Sequence, residues 1–261
     1  MKLKMYHVDS FTDRPFSGNP AGVCPLPAGW PDDELMQNIA HENNLAETAF
    51  YKKDSGGHHI RWFTPTVEVD LCGHATLAAA HIYFTQENIA ASSISFGSRS
   101  GTLTVRKDDE FLTMNFPTDK IRRVKLSAEI NACFGAAPLE VYRGKTDYML
   151  VFDNTEQIAN MKFDISAIAK INARGVIITA KGISCDFVSR FFAPQVGVSE
   201  DPVTGSAHTT LTPYWSEMLN KKELTAMQLS PRGGHLVCRN LGERTEISGK
   251  AVTYLFGEIA V

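Results

Sequence analysis

Three short segments recur in the same order along the chain, and this repeat constrains the fold more than any other feature. Arg61-Trp62-Phe63-Thr64-Pro65 returns as Arg190-Phe191-Phe192-Ala193-Pro194. Gly73-His74-Ala75-Thr76 is echoed by Gly205-Ser206-Ala207-His208-Thr209, and Gly101-Thr102-Leu103-Thr104-Val105 by Gly234-His235-Leu236-Val237. The offsets are 129, 132 and 133 residues in a chain of 261. A period kept at about half the length reads as one folding unit used twice. Regularly spaced short strands in a single all-β domain would produce a similar pattern, so that reading stands beside the first. The boundary falls near 116–126, where Pro117 and a charge cluster interrupt the pattern. Two lobes of about 1–116 and 117–251 are expected.

Local patterns agree with two similar halves. Strand patterns separated by turn signals such as Asp54-Ser55-Gly56-Gly57 are expected near 3–9, 48–53, 58–64, 93–97, 101–107 and 111–116. In the second half they are expected near 138–143, 147–153, 175–180, 185–192, 225–230, 235–239, 243–248 and 252–260. Helices are expected at 32–43 and 164–172, after Asp32 and Asp164. The stretch 73–86 is Ala-rich and apolar on nearly every face, as a buried helix should be. Residues 205–219 hold the corresponding place, with Pro213 inside, where it should kink the helix or delay its regular part. Each half thus reads as strands around one central helix.

Composition removes several function classes. Lys and Arg number 26 against 29 Asp and Glu, a net charge of −3, so no basic field points to nucleic acid or an anionic membrane. The longest apolar stretch, Leu71 to Phe84, is broken by His74 and His81 and is too short to span a bilayer. The start, Met1 to Phe11, alternates like a strand and has no signal-peptide core. The five cysteines, Cys24, Cys72, Cys133, Cys185 and Cys238, are scattered and include no CxxC pair. That argues against a disulfide framework and a thiolate zinc site, and for a reduced, cytoplasmic chain. Neither a Walker A sequence nor G-x-G-x-x-G occurs, so no nucleotide cofactor is indicated.

Both central helices begin with glycine, Gly73 and Gly205. Helix starts present unpaired N–H groups and a positive dipole end, which suit a carboxylate or an enolate. The plainer reading makes both glycines simple turn residues. Asp201, Ser206 and His208 do not read as a hydrolase triad: Ser206 and His208 stand two apart on one helix and diverge, and no G-x-S-x-G elbow exists. His58-His59 reads as a solvated hairpin pair, and Glu47 as a carboxylate at the start of a strand.

Taken together, Gly18-Asn19-Pro20-Ala21, Asn44-Leu45-Ala46-Glu47-Thr48, Cys72-Gly73-His74-Ala75-Thr76 and Asp201-Pro202-Val203-Thr204-Gly205-Ser206-Ala207 resemble the phenazine biosynthesis PhzF-like family. Ser230-Pro231-Arg232-Gly233-Gly234 and Ser248-Gly249-Lys250-Ala251-Val252 extend the resemblance over essentially the whole chain. It implies the α+β diaminopimelate epimerase fold: two pseudo-symmetric lobes, each a curved mixed sheet around a central helix, with the active site in the cleft between them. It also implies that the last strand, about 252–261, completes the first lobe.

The resemblance further implies an isomerase without metal or organic cofactor, acting on a small carboxylate-bearing substrate. Glu47 would carry the proton, with His74, Asp201 and Ser206 completing the catalytic set. Asn19, Pro20, Cys72, Gly73, Thr204 and Gly205 would line the substrate. In the enzyme that names the family the substrate is a dihydro-hydroxyanthranilate. A homodimer is implied by the resemblance alone. Burial is expected to raise the Glu47 pKa toward neutrality, so that one carboxyl serves as both base and acid. Epimerases of this fold use two cysteines, one at each helix start. Cys72 matches the first, but Thr204 stands in place of the second, and a hydroxyl is too weak an acid for that role. A racemase using Cys72 and a non-catalytic binding protein are the alternatives.

Overall fold

The computed structural model describes residues 1–261. The first stretch contains β1 (Lys2–Ser10), β2 (Asn19–Leu26), α1 (Asp33–Asn43), β3 (Glu47–Asp54), β4 (Gly57–Phe63), β5 (Glu68–Val69) and α2 (Gly73–Ile82). It continues through β6 (Ser93–Ser98), β7 (Gly101–Asp108) and β8 (Phe111–Pro117). Then come β9 (Arg122–Arg123), α3 (Ala128–Asn131), β10 (Glu140–Arg143), β11 (Asp147–Val151), α4 (Thr155–Ala159), α5 (Ile165–Ile168) and β12 (Gly175–Lys181). The chain closes with β13 (Phe187–Phe192), α6 (Gly205–Leu219), β14 (Glu223–Gln228), β15 (Gly234–Asn240), β16 (Arg244–Gly249) and β17 (Ala251–Ala260). No helix is long and apolar enough to cross a membrane.

Two compact units result: Met1–Asn115 with Ser248–Val261, and Phe116–Ile247. In the first, β17 pairs antiparallel with β1 along its length, so the chain's end is stitched to its beginning. The sheet continues β1 antiparallel to β2, β2 parallel to β3, β3 antiparallel to β4, β4 parallel to β6 and β6 antiparallel to β7. Leu3, Met5, Cys24, Leu26 and Phe50 pack with Met36, Ile39 and Ala40 of α1. Alternate positions Ala21, Val23 and Ala49 are also fully buried, and α2 packs on β1, β2, β3 and β17. Strand side chains alternate between faces, so this sheet is covered on both sides and α2 is its central helix.

The second unit repeats that pairing. β10 is antiparallel to β11, β11 parallel to β12, β12 antiparallel to β13, β13 parallel to β14 and β14 antiparallel to β15. Its central helix, α6, lies between β13 and β14 in sequence, as α2 lies between β4 and β6. The three repeated segments therefore fall on equivalent places: the ends of β4 and β13, the starts of α2 and α6, and the starts of β7 and β15. They also do the same work. Arg61 forks onto Glu68 at 2.7 and 2.8 Å and stacks over Phe63. Arg190 forks onto Glu200 at 2.7 and 2.9 Å and stacks over Phe192. Each pair ties the end of a strand to the segment leading toward a central helix.

Several local expectations are corrected. β2 does not read as a strand in sequence because Pro20 and Pro25 remove ladder donors; burial between β1 and β3 overrides that penalty. The helix expected at 164–172 is limited to Ile165–Ile168. The one expected at 73–86 changes after Ile82 to a π-turn over Tyr83–Glu87. Helix α6 has the expected bounds, Gly205–Leu219, with Pro213 inside it. The Thr209 carbonyl, which loses its helical donor to the proline, accepts the Asp119 N–H at 3.2 Å instead. His58 and His59 are half-buried rather than solvated: His58 meets Tyr83 and Phe96 edge-on, and His59 lies 3.3 Å from Asp54.

Candidate active site

In the first unit, α1 ends at Asn44 in the left-handed conformation, whose N–H closes onto Ala40 and His41. Asn43 then donates to the Thr48 hydroxyl at 3.1 Å, so Glu47 enters β3 from a fixed turn. The pairing of β2 with β3 sets Ala21 against Glu47. Asn19, fully buried, lies at the start of β2 opposite Ser10, and Pro20 lies opposite Asp9. Gly18 must be glycine there: its φ is +69°, and a side chain would meet the Ser10 carbonyl at 2.2 Å.

Cys72, extended, precedes Gly73 and the first turn of α2. The carbonyl of His74 accepts from the Ser10 hydroxyl at 2.8 Å, and the Cys72 carbonyl accepts from the Thr76 hydroxyl. These bonds hold the helix start against β1. His74 is sandwiched: Nδ1 is 3.5 Å from the Cys72 sulfur and Nε2 is 3.2 Å from Glu47 Oε2. The second contact is a close charge pair, not an aligned hydrogen bond.

The electrostatics differ from the sequence expectation. Burial alone would raise the Glu47 carboxyl, as expected, but the His74 charge and its contacts outweigh burial and the pKa is lowered. Burial opposes charging of His74, yet its contact with Cys72 and the facing Glu47 carboxylate raise its pKa. Burial and the Glu47 charge push the Cys72 thiol up, so it stays protonated at neutral pH. The resting state is therefore carboxylate, imidazolium and thiol.

The ligand atoms of Glu47, Cys72 and His74 lie within 4.8 Å of one another, a donor set suited to a borderline-soft cation. Cys72 and Glu47, however, address opposite ring nitrogens.

In the second unit, Thr204 occupies the place before the central helix that Cys72 holds in the first. Its hydroxyl donates to Asp201 Oδ2, and its N–H donates to the Gln228 side-chain oxygen at 2.9 Å. The amide nitrogen of Gln228, fully buried, donates to the Asp201 carbonyl at 2.7 Å. Asp201, Thr204 and the start of α6 at Gly205 are thus one hydrogen-bonded loop. Ser206 Oγ accepts from Arg174 Nη1 at 3.1 Å, and Arg174 forks onto Asp147. His208 points elsewhere: fully buried, its Nδ1 donates to the Thr204 carbonyl at 2.8 Å.

The place equivalent to Glu47 is Gly175. Both open the second strand of the parallel pair, Glu47 opposite Ala21 and Gly175 opposite Asp147. A Cβ there would lie 2.4 Å from the Phe191 ring and 2.9 Å from the Phe192 carbonyl, so any side chain would force its neighbours to shift. The second unit therefore carries neither a second carboxylate at this position nor a thiol at its helix start. Gln228, Asp147 and Arg174 were not legible as site residues: nothing in their sequence surroundings marks them, and only strand register brings them to the start of α6.

Comparison with known proteins gives one answer. Residues 8–257 match the family model described as phenazine biosynthesis-like protein. An uncharacterized isomerase of Pseudomonas aeruginosa is 51% identical, with 99% of each chain covered. A crystal structure of a phenazine biosynthesis protein, PhzF family, from Enterococcus faecalis superimposes with TM-score 0.97 at 43% identity, covering 100% of both chains. A hydroxyproline epimerase from Agrobacterium vitis shares the fold alone, with TM-score 0.62 at 9% identity over 99% of this chain and 91% of that one.

Proposed function

Because this chain belongs to the phenazine biosynthesis-like family and is an isomerase of it, we propose that it shifts a proton between two carbons of a small carboxylate-bearing substrate, with Glu47 as the single general acid and base. The observation that carries this reading is the asymmetry of the two units. Glu47, His74 and Cys72 form an ionisable cluster in one, while Gly175 and Thr204 stand at the equivalent places in the other.

Glu47, resting as carboxylate, takes a proton from a substrate carbon. The negative charge left behind spreads into the substrate, where the His74 imidazolium and the N–H groups at the start of α2 offset it. Glu47, now protonated, returns the proton to a second carbon. A carboxyl held close to both carbons does this without a diffusing base. Asp201 and Ser206 hold the substrate's polar groups; Asn19, Pro20, Gly73 and Gly205 line it. Stereoinversion would need a second acid or base on the opposite face, and the Thr204 hydroxyl is already committed to Asp201.

Deuterium incorporation into cyclic unsaturated carboxylates in D₂O, followed by NMR, tests the proposal. Glu47→Gln should slow exchange by about 10²- to 10⁴-fold. Undiminished exchange in that variant would sink it. Saturable binding with no exchange in the parent protein would favour a binding protein instead.

A further inference from the structure

Arg174 stands immediately before β12, where Ala46 stands before β3 in the first unit. Its Nε donates to Asp147 Oδ1 at 2.9 Å, and its Nη2 to the other oxygen. Asp147 is 2% exposed, and the guanidinium lies over the Phe191 ring at 5.3 Å. The remaining bond runs from Nη1 to Ser206 Oγ at 3.1 Å.

That bond fixes the polarity of Ser206. A guanidinium only donates, so Ser206 Oγ must accept from it, and the serine O–H is left to donate away from Arg174. Three of the five guanidinium N–H groups are used by these contacts, and the side chain remains 35% exposed. Oriented donors therefore gather at the start of α6: the Ser206 O–H, spare Arg174 N–H groups and the first-turn amides. Asp147 balances the Arg174 charge, and Asp201 and Asp119 also act on it. Selection must then come from the donor pattern, not from net charge. A carboxylate accepts at both oxygens; a carboxamide turns its NH₂ toward donors and leaves them unpaired.

We infer that Arg174 is a positioning residue that fixes the Ser206 hydroxyl as a donor and makes this end of the site select a carboxylate over a neutral isostere. The inference rests on the proposed placing of Ser206 against the substrate's polar groups, and takes the carboxylate to be the one it meets.

Binding of benzoate and benzamide, measured by NMR titration on the full chain, tests it. The parent should prefer benzoate by about 10-fold or more, the size expected from a charge-assisted hydrogen bond. Arg174→Gln and Ser206→Ala should each bring the ratio to within about threefold, and the double variant should lose little more. Arg174→Lys, which keeps charge but not the fork, should also lose preference. In the parent, the Arg174 side-chain ¹⁵N signals should shift with benzoate and not with benzamide, a readout that needs no variant to fold. Absence of that shift, absence of preference in the parent, or a preference unchanged in folded Arg174→Gln would each overturn the inference. Exchange plays no part here. A Glu47→Gln variant with undiminished exchange would thus remove the proton-transfer reading and leave the carboxylate preference standing.

Discussion

Glu47 Oε2 sits 3.2 Å from His74 Nε2, with the two side chains only 18% and 8% exposed, and the proton of this pair resides on the imidazole. The Glu47 pKa is lowered from 4.5, so its contribution to stability is present above pH 4.5 and lost as pH falls through the lowered value. The His74 pKa is raised from 6.5, so its contribution is complete below pH 6.5 and lost as pH rises through the raised value. The melting temperature of the parent minus that of Glu47→Gln should therefore be greatest between pH 4.5 and 6.5 and shrink on both sides. A difference that is flat across pH would mean that the pair is not coupled.

Cys72 keeps its proton at neutral pH, because burial and the Glu47 charge push the thiol up. Cys72→Ala should accordingly retain substrate deuterium exchange within about 10-fold, against the larger loss expected at an essential acid or base. Abolished exchange in Cys72→Ala would restore the two-base alternative.

Gly175 holds its place because the Phe191 ring fills the space of a side chain at 2.4 Å. Gly175→Ala should destabilise the protein by about 1–3 kcal/mol, the usual cost of overpacking, as read by urea denaturation. It should also weaken benzoate binding, since Phe191 underlies Arg174. A variant as stable as the parent would show that Phe191 moves freely.

His208 is fully buried and its pKa is lowered from 6.5 to about 4 by that burial. The unfolded chain takes up this proton near pH 6.5 and the folded chain only near pH 4, so stability falls as pH drops between them. The slope from this residue is at most about 1.4 kcal/mol per pH unit. His208→Gln should flatten the acid limb by that amount, whatever His81, also lowered to about 4, contributes. An unchanged acid limb would show that His208 is charged in the folded protein.

Much of the architecture was legible in sequence because it is written in local pattern. Strand-length runs bounded by turn residues mark β3, β4, β12 and β13, and the Ala-rich run marks α2, since such local patterns survive without knowledge of neighbours. β2 was missed because two prolines disguise a strand whose burial is decided by β1 and β3. The set Glu47, Cys72 and His74 was found as motifs, and the structure brings these three together. Arg174 and Gln228 were not found, because a lone arginine or glutamine looks solvated until its partner is known.

The sequence by itself determined a two-part α+β chain with a central helix in each part, because hydrophobic period and repeated segments are properties of neighbouring residues. Tertiary structure alone decided the charge state of Glu47, because the sign of its shift depends on His74 standing across from it, not on burial alone. It alone decided that Gly175 could carry no second carboxylate, because a ring from β13 occupies the space. Parallel register alone aligned Asp147 with Gly175 and so brought Arg174 to Ser206, for strand pairing joins residues that local sequence leaves unrelated.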